Sequence, residues 1–493
     1  MNTTTPIESR ARWLALGVLC LGNLMIVLDT TIVNVALPSI RQDLGFSESS
    51  LAWVVNAYLL TFGGFLLLGG RLGDLLGHRR MFVTGIACFT AASVVCGLAG
   101  SAATLVVARA VQGLGGAVVS AVALSLVMTL FTGPTERAKA MGFIGFVAAG
   151  GGSIGVLLGG VLTDSLDWHW IFLVNVPIGA AVLVFATRIL PTADETRPRG
   201  TIDLAGAVTV TVALMLAVYG IVGGNAAGWA SARTLGVLLA SAVTLAVFLR
   251  IESTVEAPLV PLALFRRRNL AVSNIVGVLW AAAMFAWFFL SALYLQLVLG
   301  YSPLQVGLSF LPANLVMGAF SLGLSAKLVM RFGIRVPLGI GLLLAAAGLV
   351  LFARAPVGGD YLTDVLPAML LLGIGAGMAF NPVLLAAMSD AEPADAGLAS
   401  GVVNTSFMMG GALGLAVLAS VAAARTGDLA RSGAAQAVAL TGGYHAAFVV
   451  GALAAASAGV IGWTALRIAG PAARERAGDT DDTDQTVKVP RAA

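Results

Sequence analysis

Long runs of apolar residues, each about 20 residues in length and separated by short polar joints, dominate the sequence. A transmembrane α-helix needs about 20 such residues to cross a hydrocarbon core about 30 Å thick, and it satisfies its own backbone hydrogen bonds. Strands of a membrane β-barrel would instead alternate apolar and polar residues over about ten positions. The runs therefore predict an all-α integral membrane protein with fourteen transmembrane helices. We expect these helices at residues 13–36, 51–70, 81–100, 103–130, 141–163, 170–190, 203–222, 233–250, 270–298, 304–329, 335–353, 364–388, 397–423 and 445–467.

The composition indicates that lipid, rather than water, is the solvent. Hydrophobic residues make up 58% of the chain and charged residues only 11%, whereas a soluble domain has roughly 25% charged residues. The sequence lacks a G-x-x-x-x-G-K-[ST] loop, so we do not expect ATP to supply the energy. The three cysteines, Cys20, Cys88 and Cys96, lie in apolar runs without close spacing. We interpret them as packing residues and predict neither a disulfide nor a metal site.

The basic residues predict how the chain is oriented. Most of the 28 Lys and Arg residues fall in alternate joints, and cytoplasmic loops are the ones that retain basic residues. We therefore expect a multi-pass protein of the cell (inner) membrane with both termini in the cytoplasm. The dispersion of the cations along one face accounts for the net charge of +4 and argues against a nucleic-acid partner. The tail at 470–493 is expected to be disordered and cytoplasmic.

A short internal repeat indicates how the helices are grouped. The joint after the second run resembles the joint after the tenth, because aligning Gly77 with Gly333 places Arg79 opposite Arg335. The two joints have the same ordinal position only if helices seven and eight are an insertion, and transporters are commonly built from repeated halves. We therefore predict an N-terminal six-helix half at 1–200, two inserted helices without buried charge at 201–261, and a C-terminal six-helix half at 262–469.

Three segments carry motifs that can be compared with known families. The joint Gly70–Arg80 reads GRLGDLLGHRR, Leu105–Gly115 reads LVVARAVQGLG, and Leu28–Pro38 reads LDTTIVNVALP. These segments resemble the loop, fourth-helix and first-helix motifs of the major facilitator superfamily. The first-helix motif is characteristic of its fourteen-helix drug:proton antiporters, and the resemblance covers nearly the whole chain.

The resemblance implies a transporter, not an enzyme, that works by alternating access, needs no cofactor and is driven by the proton gradient. In this family the loop after the second helix latches one conformation, which implies a conformational switch at Gly70, Asp74, Gly77, Arg79 and Arg80. A simpler interpretation is that Gly77 only turns the chain and the arginines only mark the cytoplasmic side. The fifth-helix antiporter motif is similar to the segment containing Gly151, Gly155, Gly159 and Gly160, although Val156 stands where the family motif has proline. Such a glycine face could equally serve packing alone.

Two ionisable residues inside apolar runs are the main functional candidates. Asp29 is the only acidic residue well away from the end of a predicted helix, and Arg109 is the only such cation. Ionisable side chains are costly inside a membrane and are commonly functional. At 1.5 Å per residue, both lie roughly 10 Å below the outer surface, so we predict that they pair. We interpret Asp29 as the proton carrier and Arg109 as its counter-charge; the alternative is a purely structural ion pair.

The substrate site is less distinct, because a cavity for lipophilic molecules and a helix core have similar compositions. The candidates are polar or aromatic residues in apolar runs, namely Asn34, Asn56, Gln112, Trp280, Trp287, Tyr294, Gln296, Asn314, Asn381, Asn404 and Phe407. A second buried acid is missing, which argues against obligate recognition of divalent cations. A monovalent lipophilic cation could still bind Asp29 in competition with the proton.

Together these features predict a monomeric, proton-coupled exporter of small lipophilic drugs or antibiotics. The alternative on the same fold is a proton-linked transporter of another small molecule, such as a siderophore or a metabolite. A non-transporting sensor or scaffold would bind its ligand without moving it.

Overall fold

The computed structural model describes residues 9–131, 133–190, 203–256, 258–389 and 396–467, and all regular secondary structure in these ranges is helical. Fourteen helices follow one another along the chain, each at one of the predicted positions. They are α1 (Ser9–Leu44), α2 (Trp53–Leu76), α3 (His78–Gly97), α4 (Ala102–Leu130), α5 (Pro134–Ser165), α6 (Trp170–Ile189), α7 (Leu204–Ala227), α8 (Ala232–Glu252), α9 (Arg268–Leu297), α10 (Pro303–Ala319, continued by a π turn at Phe320–Leu324 and by Ser325–Phe332), α11 (Arg335–Phe352), α12 (Tyr361–Met388), α13 (Ala396–Arg431) and α14 (Gln436–Ala465).

The predicted all-helical membrane architecture is confirmed. Twelve of these helices are long and apolar enough to cross a membrane. The other two, α5 and the interrupted α10, occupy the fifth and tenth predicted positions, so the structure is compatible with fourteen crossings. The first helix extends beyond its predicted end at residue 36, because it continues through Pro38 to Leu44. The predicted tail at 470–493 and the joint at 191–202 lie outside the described residues.

Hydroxyl and carboxylate caps fix where several helices begin. The Oγ atoms of Ser101 and Ser231 accept hydrogen bonds from the N–H groups of the third helical residues of α4 and α8. Ser302 and Gln305 form a reciprocal capping box at the start of α10. Asp203 caps α7 in the same way, through the N–H of Gly206 at 2.7 Å.

Helices at equivalent positions in the two predicted halves pack in equivalent pairs. In the first half α1 packs on α5, α2 on α4, and α3 on α4 and α6; in the second half α9 packs on α13, α10 on α12, and α11 on α12 and α14. The repeated joint also has the same backbone turn in both halves. Gly77 has a φ of 98° and Gly333 a φ of 75°, which is the conformation that favours glycine over residues with a Cβ.

The two halves meet along two seams. One seam is formed by α2 and α13, the other by α5 and α10. The hairpin of α7 and α8 covers the first seam, because α7 contacts both α2 and α13. The side chain of Thr211 on α7 lies against Gly64 of α2, and Asn225 Nδ2 donates a hydrogen bond of 2.7 Å to the carbonyl oxygen of Ser420 on α13.

The prediction that the inserted pair lacks buried charge is wrong at the base of the hairpin. Asp203 and Glu252 are 6% and 3% exposed. Burial is tolerated because each carboxylate accepts a backbone hydrogen bond, Asp203 from Gly206 and Glu252 from Val260 at 3.1 Å. The first bond caps α7, and the second ties the end of α8 to the following segment.

Candidate functional site

A buried ion pair lies at the centre of the first half. Asp29 on α1 and Arg109 on α4 are 0% and 1% exposed, and Arg109 Nη1 donates directly to Asp29 Oδ2. The neighbouring hydroxyls of Thr30 and Thr31 bond to backbone carbonyl oxygens of their own helix, so they do not compete for Arg109. The predicted pairing of acid and base is thus present in the structure.

Arg109 is held from three directions. Its Nε donates a hydrogen bond of 2.9 Å to the carbonyl oxygen of Val54 on α2, and Nη1 also donates to Gln112 Oε1 at 2.8 Å. The guanidinium carbon lies 4.4 Å from the ring centre of Tyr58 and 5.6 Å from that of Phe172. Aromatic faces attract cations most strongly where water is excluded, so these rings help to stabilise the buried charge.

Asp29 receives two further hydrogen bonds, both through Oδ1. Gln112 Nε2 on α4 donates at 2.7 Å, and Asn175 Nδ2 on α6 donates at 3.0 Å. Gln112 Nε2 also contacts Ser93 Oγ of α3 at 2.8 Å, and the Sγ of Cys96 lies 3.6 Å from Gln112 Oε1. Donors of α4 and α6 therefore converge on the carboxylate of α1, and Ser93 of α3 bonds to one of these donors. We refer to Asp29, Arg109, Gln112, Asn175 and Ser93 as the acid cluster.

Protonation of Asp29 would remove a charge on which its neighbours depend. As a carboxylate, Asp29 offsets the cost of burying Arg109 and accepts three hydrogen bonds. Protonation cancels the charge, leaves Arg109 without its counter-ion and weakens the bonds from Gln112 and Asn175. Because the donors belong to different helices, a change at the carboxylate alters how α1 packs on α4 and α6.

The glycines of α5 connect this cluster to the second half. A Cβ on Gly155 would lie 3.0 Å from the carbonyl oxygen of Leu28, and one on Gly159 would lie 2.6 Å from that of Ile32, both on α1. Gly160, the next residue, faces α10 instead. A Cβ added to it would lie 2.7 Å from the carbonyl oxygen of Pro303. The distances at Gly159 and Gly160 are shorter than Cβ contacts in proteins, and a Cβ on Gly155 would also clash with Thr31 Oγ1, so this packing favours glycine at all three positions.

The remaining residues of the fifth-helix motif follow the same pattern. Gly151 packs more loosely on Leu24 and Val27 of α1. Val156, at the position of the family proline, is 1% exposed, and its carbonyl oxygen faces Gly307 of α10. The helix runs without a break from Pro134 to Ser165.

The predicted switch loop makes its contacts within the first half. Asp74 Oδ1 lies 3.2 Å from His78 Nε2, one helical turn along the chain. Arg79 donates to the carbonyl oxygen of Thr187 on α6, and the side chain of Arg80 is exposed. At Gly70 a Cβ would have ordinary contacts, whereas at Gly69 it would lie 2.9 Å from the backbone of Val118 on α4. Close helix contact thus depends on Gly69 rather than on Gly70.

Three of the predicted substrate residues line one pocket of the second half. Trp280 on α9 and Asn404 and Phe407 on α13 surround a narrow cavity of about 10 Å³, together with Phe380, Val383, Leu384 and Val403. The indole nitrogen of Trp280 is buried without a hydrogen-bond partner. The lining contains aromatic and aliphatic side chains and one amide, but no charged residue. We refer to these seven residues as the aromatic pocket.

The other substrate candidates lie elsewhere. Gln112 belongs to the acid cluster. Asn34 bonds to its own helix, Gln296 donates to the carbonyl oxygen of Val35 across the halves at 2.8 Å, and Asn381 donates to that of Ser321 at 2.8 Å. Tyr294 donates to the carbonyl oxygen of Pro356 at 2.7 Å. Trp287 packs on Phe288 and Phe310, and the side chains of Asn56 and Asn314 retain buried polar atoms without partners.

Comparisons with known proteins identify the family. The profile of the Major Facilitator Superfamily matches residues 19–415. The chain belongs to the major facilitator superfamily. It is therefore a membrane transporter and not an enzyme. Transporters of this superfamily generally need no cofactor, and no cluster of three or more His, Cys, Asp or Glu suited to a metal ion is found in the described residues.

Several curated members of the superfamily are similar over most of their length. The puromycin resistance protein pur8 of Streptomyces alboniger is 37% identical, and the alignment covers 99% of both chains. The cephamycin export protein CmcT of Amycolatopsis lactamdurans is 41% identical over 84% of this chain and 85% of the relative. The tetracenomycin C resistance and export protein of Streptomyces glaucescens is 36% identical over 85% and 77%, respectively.

Solved structures of the superfamily share the fold at low identity. A bacterial homolog of the human lysosomal transporter Spinster, in an inward-facing and unoccupied conformation, has a TM-score of 0.66 with 17% identity, covering 94% of this chain and 98% of that one. The nucleoside transporter NupG has a TM-score of 0.64 with 11% identity, covering 92% and 100%. These values support the fold alone.

The sequence motifs did not reveal every member of the acid cluster. Asn175 and Ser93 bind Asp29 and Gln112, yet neither was among the candidates. Cys96, interpreted as a packing residue, contacts the same amide. The only signal for Asn175 is an isolated amide side chain in the apolar run 170–190, and many such amides bond only to their own helix. Its role depends on the tertiary placement of α6 beside α1.

Proposed function

We propose that this transporter exports small lipophilic antibiotics or drugs across the cell membrane in exchange for protons. The observation that carries the proposal is the acid cluster, in which Asp29 is fully buried, paired with Arg109 and bound by three donors from α4 and α6. The named relatives, which confer resistance to puromycin or export cephamycin and tetracenomycin C, support an antibiotic as the cargo.

Coupling follows from the helices that Asp29 touches. Proton binding at Asp29 neutralises the carboxylate and releases Arg109, which keeps the Val54 carbonyl and Gln112 as acceptors. The resulting shift of α1 is passed to α5, because Gly155 and Gly159 hold the two backbones in contact. It reaches α10 of the second half at Gly160 and Pro303. Loss of the proton reverses the shift, which links one proton to one change of access.

The aromatic pocket is the best-supported substrate site. Its walls suit a planar, lipophilic molecule, and the indole N–H of Trp280 offers a hydrogen bond to an acceptor on that molecule. Because the pocket contains no charged side chain, a neutral ligand suits it best. Binding of substrate in the second half and of the proton in the first half would not compete directly.

The positive-inside asymmetry supports both termini facing the cytoplasm, with α1 beginning and α14 ending at the cytoplasmic face. We call this face the terminal face and the opposite face the distal face. The residues 1–200 and 262–469 would then be the two halves that rock about the substrate, acting as a monomer. Maleimide labelling of single cysteines at Ser47 and Thr254 in intact cells tests the orientation: only the former should react with a membrane-impermeant reagent.

Transport in inside-out vesicles tests the exchange. An imposed proton gradient should drive accumulation of puromycin, lincomycin or tetracenomycin C in vesicles that contain the wild-type protein, and a protonophore should abolish it. Asp29→Asn should lose this accumulation, whereas Asp428→Asn, which removes an exposed acid paired with Arg431, should retain it. Full coupling in Asp29→Asn would refute the assignment. Gradient-driven depletion of the vesicles would indicate an importer, and binding without transport would indicate a sensor.

A further inference from the structure

A groove opens between α2 and the inserted hairpin, near the distal ends of the three helices. It has a volume of about 430 Å³ and is separate from both the acid cluster and the aromatic pocket. Its lining includes Trp53 on α2, Tyr219 and Gly223 on α7, and Arg233 and Thr234 on α8. The hairpin is an insertion between the halves, and the groove is formed only where it meets α2.

One end of the groove is polar and positively charged. Arg233 lies in the first turn of α8, and its Nη2 donates a hydrogen bond of 2.6 Å to the hydroxyl of Tyr219. Among the described residues, no carboxylate pairs with the guanidinium of Arg233. The residue is also exposed. The N-terminus of α8 adds partial positive charge at the same place. The distal end of the groove therefore favours an anion.

The remainder of the groove is smooth and apolar. Its floor on α7 consists of small residues, and a Cβ built on Gly223 would meet nothing within 4 Å, so this glycine faces open space. Trp53 and Tyr219 flank the floor, and such aromatic side chains favour the region between headgroups and acyl chains. Only 11% of the apolar window of α8 is buried, which leaves this side of the hairpin open to lipid.

We propose that the groove binds one anionic phospholipid of the distal leaflet, with its phosphate at Arg233 and an acyl chain along the floor at Gly223. An arginine can hold a phosphate through two parallel hydrogen bonds. The absence of an acidic partner favours a headgroup without a positive charge, such as phosphatidylglycerol, over phosphatidylcholine. The bound lipid would fill the space between α2 and α7 and hold the hairpin over the seam of the two halves.

Two matched pairs of variants test this site. Arg233→Gln removes the charge in the groove, and Arg354→Gln removes an exposed charge of the same face outside it. Gly223→Leu fills the floor, and Gly236→Leu adds the same side chain to α8 at a position that also meets nothing within 4 Å. Neither control residue lines the groove, and none of the four positions belongs to the acid cluster or the aromatic pocket.

Native mass spectrometry of the full-length protein, titrated separately with phosphatidylglycerol and phosphatidylcholine, measures lipid binding. Wild type and both controls should retain one tightly bound phosphatidylglycerol. Arg233→Gln should weaken that binding about tenfold, as expected for loss of one hydrogen bond to a charged group. Gly223→Leu should reduce the binding of both lipids. Equal phosphatidylglycerol binding in all variants would overturn the proposal, as would equal affinity of wild type for the two lipids or displacement of the lipid by puromycin at its transport concentration.

Discussion

The two halves share a packing pattern but bury different chemistry. The first half encloses an ion pair and three further polar side chains around Asp29. In the described part of the second half no Asp, Glu, Lys or Arg is buried, and its pocket is lined by aromatic and aliphatic residues. A buried charge is costly unless it is paired. Because the buried ion pair lies in the first half, the pocket of the second half can be lined by uncharged side chains. If, as proposed, the first half binds the proton and the second the lipophilic molecule, coupling has to cross the seams between them.

The largest expected effect comes from separating the two charges of the first half. Asp29→Asn or Arg109→Gln leaves one buried charge without a partner, which should lower the free energy of unfolding by about 3–5 kcal/mol. The double variant buries no net charge and should be more stable than either single variant, yet it should not couple transport to protons. Thermal unfolding in detergent and proton-driven drug transport measure the two effects.

The pair Arg12–Glu136 provides the control for that experiment. Its atoms are 2.9 Å apart, but the side chains are 24% and 39% exposed. The corresponding cycle with Arg12→Gln and Glu136→Gln should change stability by less than about 1 kcal/mol. If the double variant of Asp29 and Arg109 still coupled drug transport to protons, the buried pair would have a purely structural role.

The next effect concerns the seam that joins the halves. Gly160→Leu places a side chain against the backbone of Pro303, so α5 and α10 must separate at the distal face. We expect drug transport to fall about tenfold or more, since this contact carries the shift of α5 to the second half. Gly142→Leu lies on the same helix, meets nothing within 4 Å and should leave transport near the wild-type rate. Equal activity of the two variants would contradict this role.

A smaller effect is expected in the aromatic pocket. Trp280→Phe keeps an aromatic wall but deletes the indole N–H, so the half-saturating concentration of an acceptor-bearing drug should rise about three- to tenfold. The maximal rate and the proton dependence should change little, because Asp29 is untouched. Trp463→Phe alters an exposed tryptophan of the same half and serves as the control. An unchanged concentration dependence in Trp280→Phe would move the substrate site elsewhere.

The smallest effect involves a partly buried acid in the loop after α1. Burial raises the pKa of Glu48, and Arg41, whose Nη2 lies 3.5 Å away, only partly opposes this. The folded protein therefore binds this proton more tightly than the unfolded chain, and Glu48 makes stability fall as pH rises through its titration. Glu48→Gln should flatten the pH dependence of thermal unfolding at and above the pH where an ordinary Glu titrates, about 4.3. An unchanged profile would show that Glu48 does not contribute.

The sequence predicts those features that depend on local composition. Runs of about 20 apolar residues mark each helix, and a lone acid and a lone base at similar depth indicate the Asp29–Arg109 pair. The choice of Asn175 over other amides depends on how α6 packs on α1. Likewise, the loop motif draws attention to Gly70, but the helix contact that excludes a side chain is at Gly69. Neighbouring residues of a helix face different helices, and only the tertiary packing decides which of them lies at a close helix contact.

The position of the inserted hairpin is a second feature beyond sequence patterns. Its apolar runs predict two helices, and nothing in them indicates which surface they cover. Contacts such as Thr211 against Gly64 and Asn225 against Ser420 are long-range, so they cannot be recognised from periodicity. The burial of the carboxylates of Asp203 and Glu252 was also missed; both accept local backbone hydrogen bonds, but their burial depends on how the ends of the hairpin pack.

The π turn at Phe320–Leu324 gives the two sides of the α5–α10 seam unequal stiffness. An α-helix yields most readily where its regular hydrogen-bond ladder changes register, and such turns are frequent at functional sites. Helix α5 has no such interruption, so it is expected to be stiff along its length, whereas α10 is more flexible at its π turn. Bending at the π turn would allow the terminal-face portion of α10 to move while its distal portion stays against Gly160. The two halves would then separate at the terminal face while the contact between α5 and α10 at the distal face is kept.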